Sequence, residues 1–300
     1  VKMADRRMNR KVENRRFEFN RATFYRNIDG STYKISDQID KHETLEFWRE
    51  LWRGDDNGER DHNILVETFE ECTVGVEIDE PSTIELVKRV VRTTGDWKAP
   101  GPDMVYNFFI KRIEAMHERF VQLVVEAVKE PDRIDTSFYQ GLTHLLPKVE
   151  KASTPDQLRP ITCLSNIYKI VSKVVAERLH QICEINEVVS VNQMGTRRRC
   201  QGAKELALTN KTLNSDNSHA LKSSWVDIRK AYDSVNHEYL LKVLNKLALP
   251  PEMIKFVERM LAHQSVTLAI EGIPLGTAMV ANGILQGDSL SPLLFVIAME

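Results

Sequence analysis

Trp225-Val226-Asp227-Ile228-Arg229-Lys230-Ala231-Tyr232-Asp233 reads as an apolar strand that delivers a carboxylate and passes at once into a helix. A strand that fixes Asp227 in this way can present a hard oxygen ligand to a divalent ion such as Mg²⁺. The same arrangement serves ordinary helix capping, the role expected of Asp233 ahead of Ser234. Working outward, a polar run at 214–219 leads into the expected strand at 224–228, and helices are expected near 234–248 and 252–262. A strand at 266–270 should then turn at Glu271-Gly272.

Two further stretches carry chemistry. In Ala281-Asn-Gly-Ile-Leu-Gln-Gly-Asp-Ser-Leu-Ser-Pro292, Gly283 and Gly287 permit tight turns and close approach to a ligand, and Gln286 offers both donor and acceptor. Pro292 suits the first turn of a helix; by itself the run could be a plain strand-to-helix turn. Leu146-Pro147-Lys148 lies eleven residues ahead of Arg159-Pro160-Ile161-Thr162. Two cations on a proline-stiffened hairpin would suit a triphosphate, although singly each reads as a surface residue.

Upstream, Trp97-Lys98-Ala99-Pro100-Gly101-Pro102-Asp103 cannot be regular structure, because two prolines flank a glycine. One long amphipathic helix is expected after it, through Phe109, Ile113, Met116, Phe120, Leu123 and Ala127, stopped by Pro131. A short buried strand at 141–146 and an apolar helix from about 165 to 183 should follow. Nearer the N-terminus, Ser36 should cap a helix at 36–53 and Ser82 another near 83–94, with turns at Asp29-Gly30 and over 53–58.

Residues 1–26 carry nine Lys/Arg against three acids, for +6, whereas 37–80 carry fifteen acids against four bases, for −11. The net charge of −2 therefore hides a basic arm able to meet phosphate, with a solvated charged end as the alternative. Four scattered cysteines without a CxxC pair argue against a disulfide framework or zinc site. His180 and Cys183, three apart, read as a polar position beside a buried thiol. No apolar run is long enough to span a membrane and no secretory signal opens the chain, so a soluble protein is expected. The start at Val1 suggests a fragment. Helices outnumber strands in irregular order, which makes the class α+β.

In their order, Trp97-Lys-Ala-Pro-Gly-Pro-Asp103, Leu146-Pro-Lys148, Leu158-Arg-Pro-Ile-Thr162, Asn192-Gln-Met-Gly195, Val226-Asp-Ile-Arg-Lys-Ala-Tyr-Asp233 and Leu285-Gln-Gly-Asp-Ser-Leu-Ser-Pro292 resemble the successive blocks of non-LTR (LINE-type) retrotransposon reverse transcriptases. The likeness covers about 96–300 and extends loosely into Phe24-Tyr-Arg26 and Phe47-Trp-Arg-Glu-Leu-Trp52. It implies a charged, mainly helical extension at 1–95, then the fingers and partial palm of a right-hand polymerase at 96–300. Group II intron maturases share the later blocks, but the Trp97 block favours the retrotransposon branch.

The resemblance also implies roles. Asp227 matches the first catalytic, metal-binding carboxylate of the palm. Tyr232 matches the aromatic gate beneath the incoming sugar, and amides near Ala231 and Tyr232 would meet the triphosphate. Gln286 and Gly287 match the loop on the nascent base pair, and Lys148 and Arg159 the fingers cations on the phosphates. Gln193, Arg197, Arg198 and Arg199 fall where the fingers meet template RNA. Two Mg²⁺ ions, an RNA template, a DNA primer or target and dNTPs are the expected cofactors and partners. The active element would work in the nucleus, with a cytoplasmic location the other expectation. The family's next block, an aromatic-Ala/Val-Asp-Asp hairpin, would fall beyond Glu300, so this polypeptide alone should not polymerise. The rivals are a catalytically dead remnant that still binds RNA and an RNA-directed RNA polymerase, against which Tyr232 argues.

Overall fold

The computed structural model describes residues 33–54, 66–67, 80–198, 201–216, 222–247 and 249–300. The basic segment 1–26, the turn at Asp29-Gly30, residues 55–58 and Arg199 lie outside the described residues.

A four-stranded mixed sheet organises the fold, in the order β4-β2-β5-β6. β2 (Gln140–Pro147) and β4 (Leu158–Leu164) form an antiparallel pair that matches Thr143 with Thr162 and Leu146 with Arg159. β5 (Ser265–Ile270) runs parallel to β2 and turns at Glu271-Gly272 into antiparallel β6 (Ile273–Met279). A parallel pair of two-residue strands, β1 (Lys34–Ile35) and β3 (Lys151–Ala152), lies outside this sheet. The mixture of helix and sheet bears out the α+β class.

Helices cover the sheet. α1 (Lys41–Trp52) buries Thr44, Leu45, Trp48 and Trp52, largely at four-residue steps along one face, and packs against β6. Its cap is Asp40, whose carboxylate accepts the Glu43 amide at 2.7 Å, and not Ser36. α2 (Glu80–Thr93) begins before Ser82, which therefore lies within the helix and not ahead of it. α2 packs against α4 (His117–Lys129) and α5 (Asn166–Ile185). Ser165 caps α5 by accepting the Ile167 amide at 3.2 Å.

The single long helix expected after Asp103 is two elements. α3 (Asn107–Arg112) ends where Ile113 leaves helical geometry at φ −88, ψ 72, and α4 starts after a 3₁₀ turn, Glu114–Met116. The reason is lateral anchoring. Asn107 donates to the Gly95 carbonyl at 3.1 Å, and Lys111 and Arg112 both bind the Asp96 carboxylate. α3 is thus tied to the preceding loop, and Phe109, Ile113 and Met116 are left exposed.

The expected strand at 224–228 does not form. The segment is extended but unpaired, with Trp225 73% and Val226 91% exposed, and neither edge strand of the sheet pairs with it. A strand needs a neighbour for its amides and carbonyls, and none of the described strands supplies one.

α6 (Ala203–Asp216) precedes this segment, and α7 (His237–Lys246) and α8 (Pro251–His263) follow it. α9 (Ser291–Met299) carries Pro292 in its first turn, as expected. A hydrophobic core runs from Trp48 and Trp52 through β5 and α5 to Leu240, Phe256 and Leu294. Among the described residues no helix is long and apolar enough to cross a membrane. Cys163 and Cys183 are buried and form no disulfide.

Candidate nucleotide site

Two turns meet at Tyr232. In the first, Lys230 adopts left-handed geometry (φ 53) and a 3₁₀ turn, Tyr232–Ser234, follows. Asp233 does not cap α7. That cap is Asn236, whose side chain accepts the Tyr239 amide at 2.9 Å. Asp233 is instead buried, and accepts the Trp52 indole N–H at 2.9 Å. Burial pushes its carboxyl above the usual range, while the Trp52 bond and the Lys230 and Lys148 charges pull it back.

In the second turn, Gly283 is left-handed (φ 87), and a Cβ there would lie 2.8 Å from the Asp233 Cα. That close approach lets the Gly283 amide donate to the Val235 carbonyl at 2.8 Å and the Ile284 amide to the Tyr232 carbonyl at 2.9 Å. Asn282 adds a side-chain bond to the Asp233 carbonyl at 2.9 Å. Further along, the Thr162 amide donates to the Gln286 carbonyl at 2.8 Å, and Gly287 lies flat against the Thr162 backbone. Asp288, buried, accepts the Tyr168 hydroxyl at 2.9 Å.

The Lys148 and Arg159 blocks join through β4. Leu146 faces Arg159 across the β2–β4 ladder, and the Lys148 amide donates to the Gln157 carbonyl at 2.8 Å. Both cationic side chains are exposed, with the Lys148 ammonium 3.2 Å from the Asp156 carbonyl. Backbone hydrogen bonds and strand pairing therefore link Tyr232, Gln286, Gly287, Thr162, Arg159 and Lys148. Tyr232 is half-buried and packs edge-on against Phe295, at 5.2 Å between centroids.

Asp227 stands apart from this linkage, exposed on the unpaired segment five residues before Tyr232. Asp233 and Asp288 are buried and engaged by Trp52 and Tyr168. Among the described residues no three His, Cys, Asp or Glu side chains gather as a metal site. Asp227 therefore fits one ligand position of a hard cation, and a full donor set is not assembled by these residues.

The expected template cluster lies elsewhere. Gln193, Arg197 and Arg198 follow the C-terminus of α5, whereas Ser165 and Thr162 stand at its start. The cluster lies along the C-terminal half of this 20-residue helix, where Arg198 reaches back to Glu177. There a cleft of about 310 Å³ is lined by His180, Glu184, Val191, Arg197 and Arg198 among others. Arg198 is not an open cation, since it pairs with Glu177 at 2.8 Å and Glu184 at 3.6 Å. Arg197 donates to the Val191 carbonyl at 2.7 Å, and the Gln193 side chain accepts the Gly195 amide at 3.0 Å.

In the sequence, Phe47 and Trp52 stand out only through the loose likeness over 47–52, and Lys230 carries no role of its own. The Lys230 ammonium sits 4.1 Å above the Phe47 ring. Its place between Asp227 and Tyr232 was the one available signal.

With the blocks joined in space, comparison with known proteins becomes decisive. The family described as "Reverse transcriptase (RNA-dependent DNA polymerase)" matches residues 147–300, just over half of the chain. This chain belongs to the reverse transcriptase family. The matched region contains both turns, β4 and α5 to α9, while α1 lies upstream of it. The chain is 24% identical over 216 residues to the RNA-directed DNA polymerase from mobile element jockey of Drosophila melanogaster, covering 71% of this chain and 24% of that protein. It is 26% identical to a probable RNA-directed DNA polymerase from transposon X-element of the same fly, covering 76% of this chain and 26% of that protein. A Pol polyprotein from the type-1 retrotransposable element R2 of Popillia japonica is 28% identical, covering 66% of this chain and 27% of the polyprotein. The reverse transcriptase region here thus spans about a quarter of these relatives.

Proposed function

We propose that this chain forms the fingers and the front of the palm of a non-LTR retrotransposon RNA-directed DNA polymerase, with the polymerase proper over 96–300. The observation that carries the reading is the pair of backbone bonds from Ile284 to Tyr232 and from Thr162 to Gln286, which join blocks far apart in sequence. Tyr232 would lie beneath the sugar of an incoming dNTP and discriminate against a 2′-hydroxyl. Lys148 and Arg159 would neutralise its phosphates from the exposed hairpin, and the main chain at Ala231 and Tyr232 would meet the same group. Gln286 and Gly287 would pack on the nascent base pair formed with the RNA template.

Asp227 would supply one ligand to divalent metal, Mg²⁺ in this reading. Two such ions would supply activation of the primer hydroxyl and charge stabilisation for in-line transfer, with Asp227 holding one ligand position. The parent element would act in the nucleus on a DNA primer or target. Gln193 and the Arg197 loop remain candidates for RNA contact, weakened by the Arg198 ion pairs.

Primer extension on an RNA template tests this. The longer polymerase containing these residues should extend with dNTPs, and Asp227→Asn should abolish extension while leaving RNA affinity nearly unchanged. Robust extension by Asp227→Asn would remove the metal from that residue. The 300 residues alone should give no extension, because among the described residues no full metal donor set gathers with Asp227.

A further inference from the structure

We propose that α1 is a positioning element of the nucleotide site, in which Trp52 and Phe47 hold the turn at 230–233 that sets Tyr232. The inference rests on the functional reading above. Trp52 lies 181 positions before Asp233, yet its indole N–H meets the Asp233 carboxylate at 2.9 Å, with both residues buried. The Trp52 carbonyl also accepts the amides of Ala281 and Asn282, at 2.8 and 3.1 Å. One residue therefore grips both turns that flank Tyr232, one by its side chain and the other by its main chain.

Phe47 acts from five residues earlier on the same helix. Lys230 is held in a left-handed conformation that an L-residue adopts with strain, and its ammonium lies 4.1 Å over the Phe47 ring. Trp48 offers a second face at 5.9 Å. Simple core packing would require only apolar volume at position 52. It does not account for an indole donor aimed at a buried carboxylate, which is costly to leave unpaired. α1 precedes the matched region 147–300, so this support reaches the site from outside it.

Trp52→Phe keeps most of the volume and the carbonyl, and removes the N–H. In steady-state primer extension by the polymerase containing this chain, its KM for dNTP should rise roughly tenfold. The maximal rate should be largely kept, and the preference for dNTP over NTP should narrow because Tyr232 shifts beneath the sugar. Phe47→Leu should raise KM by about threefold. In the 300-residue chain, amide exchange at 230–235 and 281–284 should quicken in Trp52→Phe while β2 and β5 stay protected. Unchanged KM and sugar preference in both variants would overturn the proposal, as would exchange that quickens everywhere alike. Should Trp52→Phe fail to fold, Phe47→Leu decides alone. A wild-type polymerase that does not extend overturns the functional reading and this proposal with it, whereas normal extension with unaltered variants sinks this proposal only.

Discussion

Replacing Gly287 with alanine tests whether the Gln286 block rests directly on β4. Gly287 has φ +128, and a Cβ there would stand 2.2 Å from the Thr162 carbonyl oxygen. That is more than ~1 Å inside a normal non-bonded separation of about 3.5 Å. The obstacle is backbone in the middle of a paired strand, so no side-chain rotation relieves it. Separating the segments stretches the Thr162 amide to Gln286 carbonyl bond, 2.8 Å in the native fold. Overpacking costs about 1–3 kcal/mol, the lost hydrogen bond about 1 kcal/mol, and the backbone strain about 1–2 kcal/mol. The sum is roughly 3–6 kcal/mol of destabilisation, a large share of a typical domain's stability. Gly272→Ala is the internal control. Its φ is +82 but nothing lies within 4 Å of its Cβ position, which leaves the strain term alone, about 1–2 kcal/mol. Urea unfolding followed by far-UV circular dichroism measures both. If Gly287→Ala costs no more than Gly272→Ala, the close approach of these two blocks is wrong.

Three further outcomes are expected. Lys148→Ala and Arg159→Ala should each weaken dNTP binding about tenfold at low salt, with less effect at high salt, measured by equilibrium dialysis. Asp288→Asn should change stability in a pH-dependent way, because burial raises the Asp288 carboxyl above its ordinary range in the fold. The wild-type contribution is then fully present below the unfolded carboxyl value and is lost as pH rises through the folded one, so relative to wild type the variant should fare better at pH ~7 than at pH ~4, read by urea unfolding at both. Arg198→Ala should leave the log–log salt slope of RNA binding unchanged, against a fall of about 0.7 for a cation on single-stranded phosphate, because Glu177 and Glu184 already hold it.

Much of the fold was legible where chemistry is local. The apolar period over about 165–183 announced α5, Pro292 marked the first turn of α9, and Glu271-Gly272 marked the β5–β6 turn. The Lys148 and Arg159 hairpin was legible from its prolines and cations. Misplaced boundaries came from competing caps: Asp40 took the role expected of Ser36, and Asn236 the role expected of Asp233. The break at Ile113 was hidden because the apolar period continues through it. What ends the helix is a set of bonds from Asn107, Lys111 and Arg112 to the 95–96 loop, which no period encodes.

The site divides along the same line. Gly283 and Gly287 could be recognised as places of close approach, but their partners, Asp233 and Thr162, could not. A short apolar run such as that at 224–228 suits a strand if a neighbouring strand is present. It does not state that the neighbour exists. Among the described residues there is none, and Val226 lies 91% exposed beside the carboxylate on which the metal reading depends. By contrast, the Asp233 position needed no strand at all, because Trp52 reaches it from α1 and the 281–284 turn closes over its backbone. The half of the site proposed to face the nucleotide is therefore preorganised by bonds within this chain. The half proposed to hold metal rests on one exposed aspartate in an unpaired segment, which is why Asp227→Asn should affect extension and leave the stability of the 300-residue chain within about 0.5 kcal/mol of wild type.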